Sequence, residues 1–444
     1  MLFLLLSCVE RAPYYTPEEA ETMWVQDISV EIVEEMPTAL RVQFSSTTPG
    51  TAWVEFGGPD ATLRASPTSS EGTTHEAIVL GAAPLSTVSM RAVVEVDGQR
   101  HESLLFSGET GQLPVAVPQL DVTLNTFPDD DPTTLLLSMY VHDGDDVVMM
   151  AGLDGQAFWA VPQARDGAFG LGVLPEADGF TFNRMENAAN GSITGAVVRT
   201  DRWGRVVEEI DTPNAHHFFA RPGGGETYWL TSRVGQVNGI GSVIGDQVMR
   251  TDAAGTREVL DLFQELEVSV SGSDAVADWS HANWLGYTPQ RGTLLLSAGF
   301  INTLLEVSLD GEVLDIINGL GAINGSYRTE PPEDAFVLPH GVHWTEDGDL
   351  LMFAADASGV VQAMRYSVDQ DEKVLRRVWS HGASLGREPT VLGEVQELDD
   401  GNIFVSWGGW GMMQILSPDG ALLWEAYTEF LAVPGQSHVL SSPY

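Results

Sequence analysis

Imidazole is the one side chain that ordinarily changes charge near neutral pH, so a histidine can serve as nucleophile, acid, base or metal ligand. Three histidines in this sequence keep a regular relation to a glycine turn. His340 stands eight residues before Gly348, with Asp356 eight after it; His217 stands eight before Gly225, with Arg233 eight after it; His281 stands eleven before Gly292, whose turn is longer. In an antiparallel hairpin with equal arms, residues equidistant from the turn lie at the same end. The spacing therefore predicts that each histidine opens a strand, with His216 beside His217, and that Asp356 and Arg233 lie across from two of them. Asp278, His281 and Asn283 form a polar cluster where one of these strands begins. Neutral imidazoles so grouped could attack an electrophile, move protons or hold a metal ion. The metal reading is the weakest, because Asp356 is the only carboxylate at a matching position, and no metal or other cofactor is expected.

The elements that must position these residues are short strands. Residues 278–311, DWSHANWLGYTPQRGTLLLSAGFINTLLEVSLDG, read as strands at 281–287, 293–298 and 304–308, and a fourth follows at 312–317. Each run is apolar or β-branched, and each gap carries a turn former. The turn acids Asp154, Asp201, Asp252, Asp310, Asp369 and Asp419 recur 47, 51, 58, 59 and 50 residues apart. Six copies near the roughly 40 to 50 residue period of propeller blades predict a six-bladed β-propeller. A second turn, at Gly179, Gly225, Gly292, Gly348 and Gly401, should join the two inner strands of blades 2 to 6, with the acidic run 129–131 taking that place in blade 1 as a solvated turn. Rotation from blade to blade then puts the three histidines on one rim of the central channel. The loops 261–280, 318–339 and 381–392 lie over that rim, which is where binding sites sit. Trp279, Trp284, Trp344, Trp407 and Trp410 are expected in the core between blades, those near the rim being able to flank an aromatic ligand.

Ahead of the propeller, residues 26–112 hold six strand-like runs and read as a small β-sandwich that resembles a fibronectin type III-like domain, with His75 and His101 on its surface. The propeller is expected over 117–444, so the fold class is all-β. The 444 residues include 21 basic and 63 acidic ones, a net charge of −42. That field repels nucleic acid and anionic membrane surfaces, so neither is an expected partner. The single cysteine, Cys8, excludes an intrachain disulfide. It ends the run Leu5-Leu6-Ser7-Cys8, which resembles a bacterial lipobox, so residues 1–8 are expected to be a lipoprotein-type signal, truncated at its start, and 9–25 a tether. The membrane would be met only through that lipid anchor, in the cell envelope, at the outer membrane or in the periplasm.

The motifs PNAHHFF (213–219), DWSHAN (278–283) with the strand TLLLSAG, LPHGVHWTEDGDLLMF (338–353) and GEVQELDDGNIFVSWG (393–408) resemble the bacterial arylsulfotransferase family. The resemblance implies a six-bladed propeller behind a small β-sandwich. It also implies sulfuryl transfer from a phenolic sulfate ester to another phenol, through a sulfohistidine and without a nucleotide donor. Carried over by motif, His340 is the nucleophile, His281 the histidine of the DWxHxN motif, and His216 or His217 the first histidine of the site. Asn283 falls on the motif's asparagine. The partners so implied are a small phenolic sulfate and a phenol.

The sequence departs from the family at Gly299, where members carry an arginine. Arg233, at the corresponding strand end of the preceding blade, is the expected replacement, and Arg328 and Arg387 lie in rim loops as further cations for substrate. The alternative reading of the same rim is a catalytically inactive surface propeller that binds a glycan, peptide or aromatic ligand.

Overall fold

The computed structural model describes residues 24–58, 63–142, 144–164, 168–187, 193–238, 240–268, 277–386, 392–429 and 432–444. The expected lipidation site Cys8 and Arg387 lie outside them. The chain divides into two compact units, one within residues 1–112 and one over 113–443.

The first unit is built on one 21-residue strand, Met36–Phe56. Its first half pairs with Val25–Val33 and Gly72–Val79, and its second half with Arg64–Ala65 and Thr87–Val96. The change of neighbours falls at Gly50, where a Cβ would sit 2.5 Å from the carbonyl oxygen of Glu95. Only a glycine lets the two backbones come that close. Val42, Phe44, Val54, Phe56, Val79, Met90 and Val94 fill the core. His75 is not a surface residue but a buried one, with Ser46 Oγ 3.0 Å from Nε2 and Ser69 Oγ 3.2 Å from Nδ1. Alternation of the strand turns its ring inward, and the two hydroxyls meet its polar atoms. His101 stacks on Trp24 at 3.7 Å.

The second unit is a six-bladed propeller. Blade 4 holds the stretch singled out above, as Ala282–Thr288, Thr293–Ala298, Thr303–Ser308 and Val313–Asn318 in antiparallel order. The run Thr293–Ala298 is buried throughout because it has blades on both sides. Leu294 and Leu296 join the cluster containing Tyr228 and Leu230 of blade 3, while Leu295 joins the one containing Met352 and Tyr366 of blade 5. Side chains alternating every residue thus serve two interfaces at once. Blade 3 is Ala215–Gly223, Glu226–Val237, Gly241–Asp252 and Gly255–Asp261; blade 5 begins with Val337–Trp344 and Leu350–Ala355; blade 6 begins with Glu394–Glu397.

Ring closure uses both ends of the unit. Leu120–Asn125 adds to the outer edge of blade 6 beside Leu422–Thr428, and Ala432–Leu440 is the innermost strand of blade 1, beside Thr134–Val141. The acidic run 129–131 is therefore not an inner hairpin turn; it belongs to the crossover from the rim of blade 6 to the second strand of blade 1. Asp131 Oδ1 accepts from Thr133 N at 2.9 Å there. The six outer turns and the inner turns of blades 2 to 6 fall where their Asp and Gly residues placed them.

Candidate active site

The innermost strands of blades 3, 4 and 5 are irregular where they begin. In blade 3 the pairing jumps from His216 opposite Leu230 to Phe219 opposite Trp229, so His217 and Phe218 have no counterpart. In blade 4 Asn283 is the extra residue, and in blade 5 the register slips on both sides of His340, which faces Phe353. These bulges overturn the equal-arm arithmetic: Asp356 is not across from His340, and Arg233 is not across from His217. Each bulge re-aims a side chain. Asn214, His217, His281 and Leu338 have φ of +56°, +56°, +43° and +50°, a conformation costing on the order of 1 kcal/mol or more for a non-glycine residue. Such strain is held in place by the surrounding sheet and gathers where function needs unusual geometry.

The bulges bring four imidazoles together. His217 lies between His216 and His281, with ring centroids 5.1 Å away in each direction and edge-on geometry. His216 Nδ1 is 2.9 Å from His217 Nδ1, and His216 Nε2 is 3.1 Å from Asp246 Oδ1. Nε2 lies close to the carboxylate without full hydrogen-bond alignment; because a carboxylate can only accept, the contact favours a neutral His216 with its proton on Nε2 and with Nδ1 accepting from His217, which leaves a lone pair on His217 Nε2. Asp246 is 2% exposed, and its Oδ2 accepts from Ser280 Oγ at 2.6 Å and from the Ala282 N–H. Burial alone would raise its pKa, but the hydrogen bonds from His216, Ser280 and Ala282 hold it below the usual carboxylate range. Burial, and then the neighbouring His216, His281 and His340, lower the pKa of His217 well below the imidazole norm.

His281 differs. Its Nδ1 is 2.6 Å from Asp278 Oδ2, and this bond raises its pKa against the effect of burial. Phe300 lies flat against the ring at 4.2 Å and 11°. His340 is buried, and its Nδ1–H donates to the Gly393 carbonyl at 2.8 Å. That bond fixes the tautomer and leaves the lone pair on Nε2. Burial drives the His340 pKa down to about 4, so its ring is neutral at ordinary pH. The approach to Gly393 requires Gly341, where a Cβ would lie 2.7 Å from Glu394 Cα. Phe218 and Trp284 flank the His340 ring at 5.5 and 6.1 Å.

Asn283 is part of the same wall, its Oδ1 bonded to Ser297 Oγ. Its amide nitrogen fills the space beside Gly299, where a Cβ would come within 2.6 Å of it. Arg233 is elsewhere: its Nε donates to Asp261 Oδ2 at 3.1 Å, and its guanidinium lies 4.6 Å from the centre of the Phe263 ring. Arg328 is at the outer edge of blade 5, bonded to Glu330 and to the Glu372 carbonyl, both at 2.9 Å. Among the described residues no arginine or lysine hydrogen-bonds to the four histidines, and no group of three or more His, Cys, Asp or Glu side chains is placed to hold a metal ion.

A pocket of about 370 Å³ opens in front of His216, His217, Asp246, Asp278 and His281, with Asn214, Ser232 and Ile244 completing its wall. Asp246 and Phe300 escaped the sequence reading. Neither carried a signal: Asp246 sits in GSVIGDQVMRTD, a strand with several other polar residues, and Phe300 is one aromatic in a turn. Of the five tryptophans expected between blades, Trp279, Trp284, Trp344 and Trp407 are buried and Trp410 is exposed.

Fold and site together define an all-β propeller with a histidine cluster on the channel rim. The arylsulfotransferase family model matches residues 128–422, and the chain belongs to that family, a family of transferases. Among curated proteins none matches the sequence. Solved structures that resemble it include a protein of unknown function from Bacteroides caccae, at 13% identity and TM-score 0.41 over 70% of this chain and 99% of that one. A catalytically inactive virginiamycin B lyase from Staphylococcus aureus aligns at 14% and 0.37 over 70% and 88%. A 6-phosphogluconolactonase homologue from Bacteroides fragilis aligns at 12% and 0.37 over 89% and 98%. Likenesses this distant carry no inference about function.

Proposed function

We propose that the protein transfers a sulfuryl group from a phenolic sulfate ester to a second phenol, with His340 as the nucleophile. The observation that carries this is the Nδ1–H bond from His340 to Gly393, which leaves the lone pair on Nε2 of a neutral ring buried beside Phe218 and Trp284. In the first half-reaction an S–N bond forms at Nε2 as the S–O bond to the aryl group breaks. The departing phenolate takes the proton of His281, whose charged form Asp278 favours. In the second half the acceptor's oxygen attacks sulfur, the S–N bond breaks, and the acceptor's proton returns to His281. Proton and charge thus balance over the cycle. Transfer of this kind is loose, so the protein mainly positions the group and neutralises charge on its oxygens.

His281, rather than an arginine, supplies positive charge in this scheme, and His217, whose pKa burial and the neighbouring imidazoles lower, stands beside it as a neutral ring. Steady-state rates with varied donor and acceptor test the scheme: parallel double-reciprocal lines are expected, and converging lines would overturn the ping-pong order, in which the first phenol leaves before the second binds. Gly299 favours the second reading, a propeller that binds but does not turn over, and that protein would release no phenol. Lipidation of Cys8, a cell-envelope location and a fibronectin type III-like first domain complete the proposal; mass analysis of the membrane-associated protein tests the lipid.

A further inference from the structure

Exposed apolar side chains are distributed unevenly over the propeller. Val234 and Ile240 of blade 3, Phe300, Leu320 and Ile323 after the second and fourth strands of blade 4, and Trp410 of blade 6 are all exposed. In a blade, the first and third strands start at the histidine rim, and the second and fourth end there. Val234 lies three residues short of such an end and the others at or beyond one, so all share the rim with His216, His217, His281 and His340. The turns of the opposite rim hold no exposed large apolar residue among the described residues; Leu385 follows the fourth strand of blade 5 at the histidine rim, and Val206, Val207, Leu314 and Val378 stand on outer strands.

One member of this collar is tied to the site directly. Phe300 stacks on His281, which lines the pocket, and is still 53% exposed, so its other face is open to a ligand. Among the described residues no arginine or lysine lines the 370 Å³ pocket, and Asp246 and Asp278 are there, so a second anionic group on the ligand meets carboxylates rather than a cation in that wall. We infer that the substrates are uncharged, extended aryl groups bearing a single sulfate, polycyclic rather than single-ring phenols, with the apolar body lying across Phe300 and along the collar. This rests on the sulfuryl-transfer reading and narrows its substrate class. Apolar contact away from the reacting atoms lowers the dissociation constant through buried area, and such remote binding energy can also be spent on the chemical step.

The test separates binding from chemistry by using His340→Ala, which cannot form the intermediate. Dissociation constants are measured by fluorescence titration for 4-nitrophenyl, 2-naphthyl and 1-pyrenyl sulfate, and for a carboxylated naphthyl sulfate. Affinity should rise about tenfold or more from the nitrophenyl to the pyrenyl ester, as the added apolar area predicts, and the carboxylate should weaken binding. Adding Phe300→Ala or Ile323→Ser should remove most of that gain, Phe300→Leu should keep much of it, and Leu314→Ser should leave it unchanged. Equal affinities across the series, or a preference that survives both rim substitutions, would overturn the inference. So would rim-dependent self-association without pyrenyl binding, since the collar would then be an interface between copies. If the wild type forms a covalent adduct with no ester yet the size preference holds, the transferase reading fails and the apolar site stands. If the adduct forms without a preference, only the collar fails.

Discussion

Replacing Asp246 by asparagine leaves the volume of the side chain but not its chemistry. One oxygen becomes an NH2 group, which can only donate. Asp246 Oδ2 faces two donors, Ser280 Oγ–H and the Ala282 N–H, whereas Oδ1 faces one, His216 Nε2. The amide therefore settles with its nitrogen toward His216. His216 must then accept at Nε2 and donate from Nδ1, and His217 Nδ1, 2.9 Å away, becomes the acceptor, with its proton moved to Nε2. A single substitution thus inverts two tautomers and removes the lone pair on His217 Nε2. The lost charge-assisted bonds should lower stability by about 2 kcal/mol. The Asp246 pKa is depressed on folding, so this contribution is complete above the ordinary aspartate range and is lost as pH falls through the lower folded value. The stability gap between wild type and Asp246→Asn should therefore be constant across neutral pH and close only in acid. The rate of phenol release should fall roughly 10²-fold or more, as for loss of a correctly protonated acid–base partner. Urea unfolding at several pH values, phenol release from a nitrophenyl sulfate, and nitrogen-15 NMR of the histidine rings read out all three effects. Wild-type tautomers and rates within twofold in the variant would refute the reasoning.

Asp278→Asn removes the group that raises the His281 pKa, so the alkaline limb of the pH–rate profile should move to lower pH; an unmoved limb would take the acid role from His281. Gly299→Ala places a Cβ 2.6 Å from Asn283 Nδ2 and should cost about 1 to 3 kcal/mol as overpacking does, a cost that Asn283→Ala in the same chain should relieve in a denaturation series. Glu394, buried with one bond from Ser437 N, has its pKa pushed up to about 8 by burial. Its raised folded pKa means stability is lost as pH rises from the unfolded glutamate value through about 8, so Tm should decline over that range in the wild type and much less in Glu394→Gln.

Much of the fold was legible because each blade is a local event. Asp and Gly at fixed offsets make hairpin turns, and runs such as TLLLSAG need no distant partner to be read as strands. The site was legible in part for the same reason: a histidine at the start of an inner strand is brought to the rim by repetition alone. What could not be read depends on irregularity or on distance. A bulge is a single unpaired residue, and nothing in AHHFF or LPHGV marks which residue it will be. The strand Ala432–Leu440 closes blade 1 across nearly 300 positions of separation from Thr134–Val141, and its Pro434-Gly435 pair reads as a chain end rather than a strand. Asp246 touches His216 only because the third strand of blade 3 starts at the same rim, and the space beside Gly299 belongs to Asn283 for reasons of packing. Arg233 shows the converse: position along a hairpin put it near the site, but Asp261 and Phe263 hold it.

The central claim is that His340 Nε2 takes the sulfuryl group. Intact-mass spectrometry of the protein after brief exposure to a nitrophenyl sulfate tests it most directly. A gain of about 80 Da, the mass of one sulfuryl group, is expected of a covalent intermediate. It should map to His340, vanish on addition of an acceptor phenol, and be missing in His340→Ala. An adduct that persists in His340→Ala, or phenol release with no adduct at any time, would contradict the account.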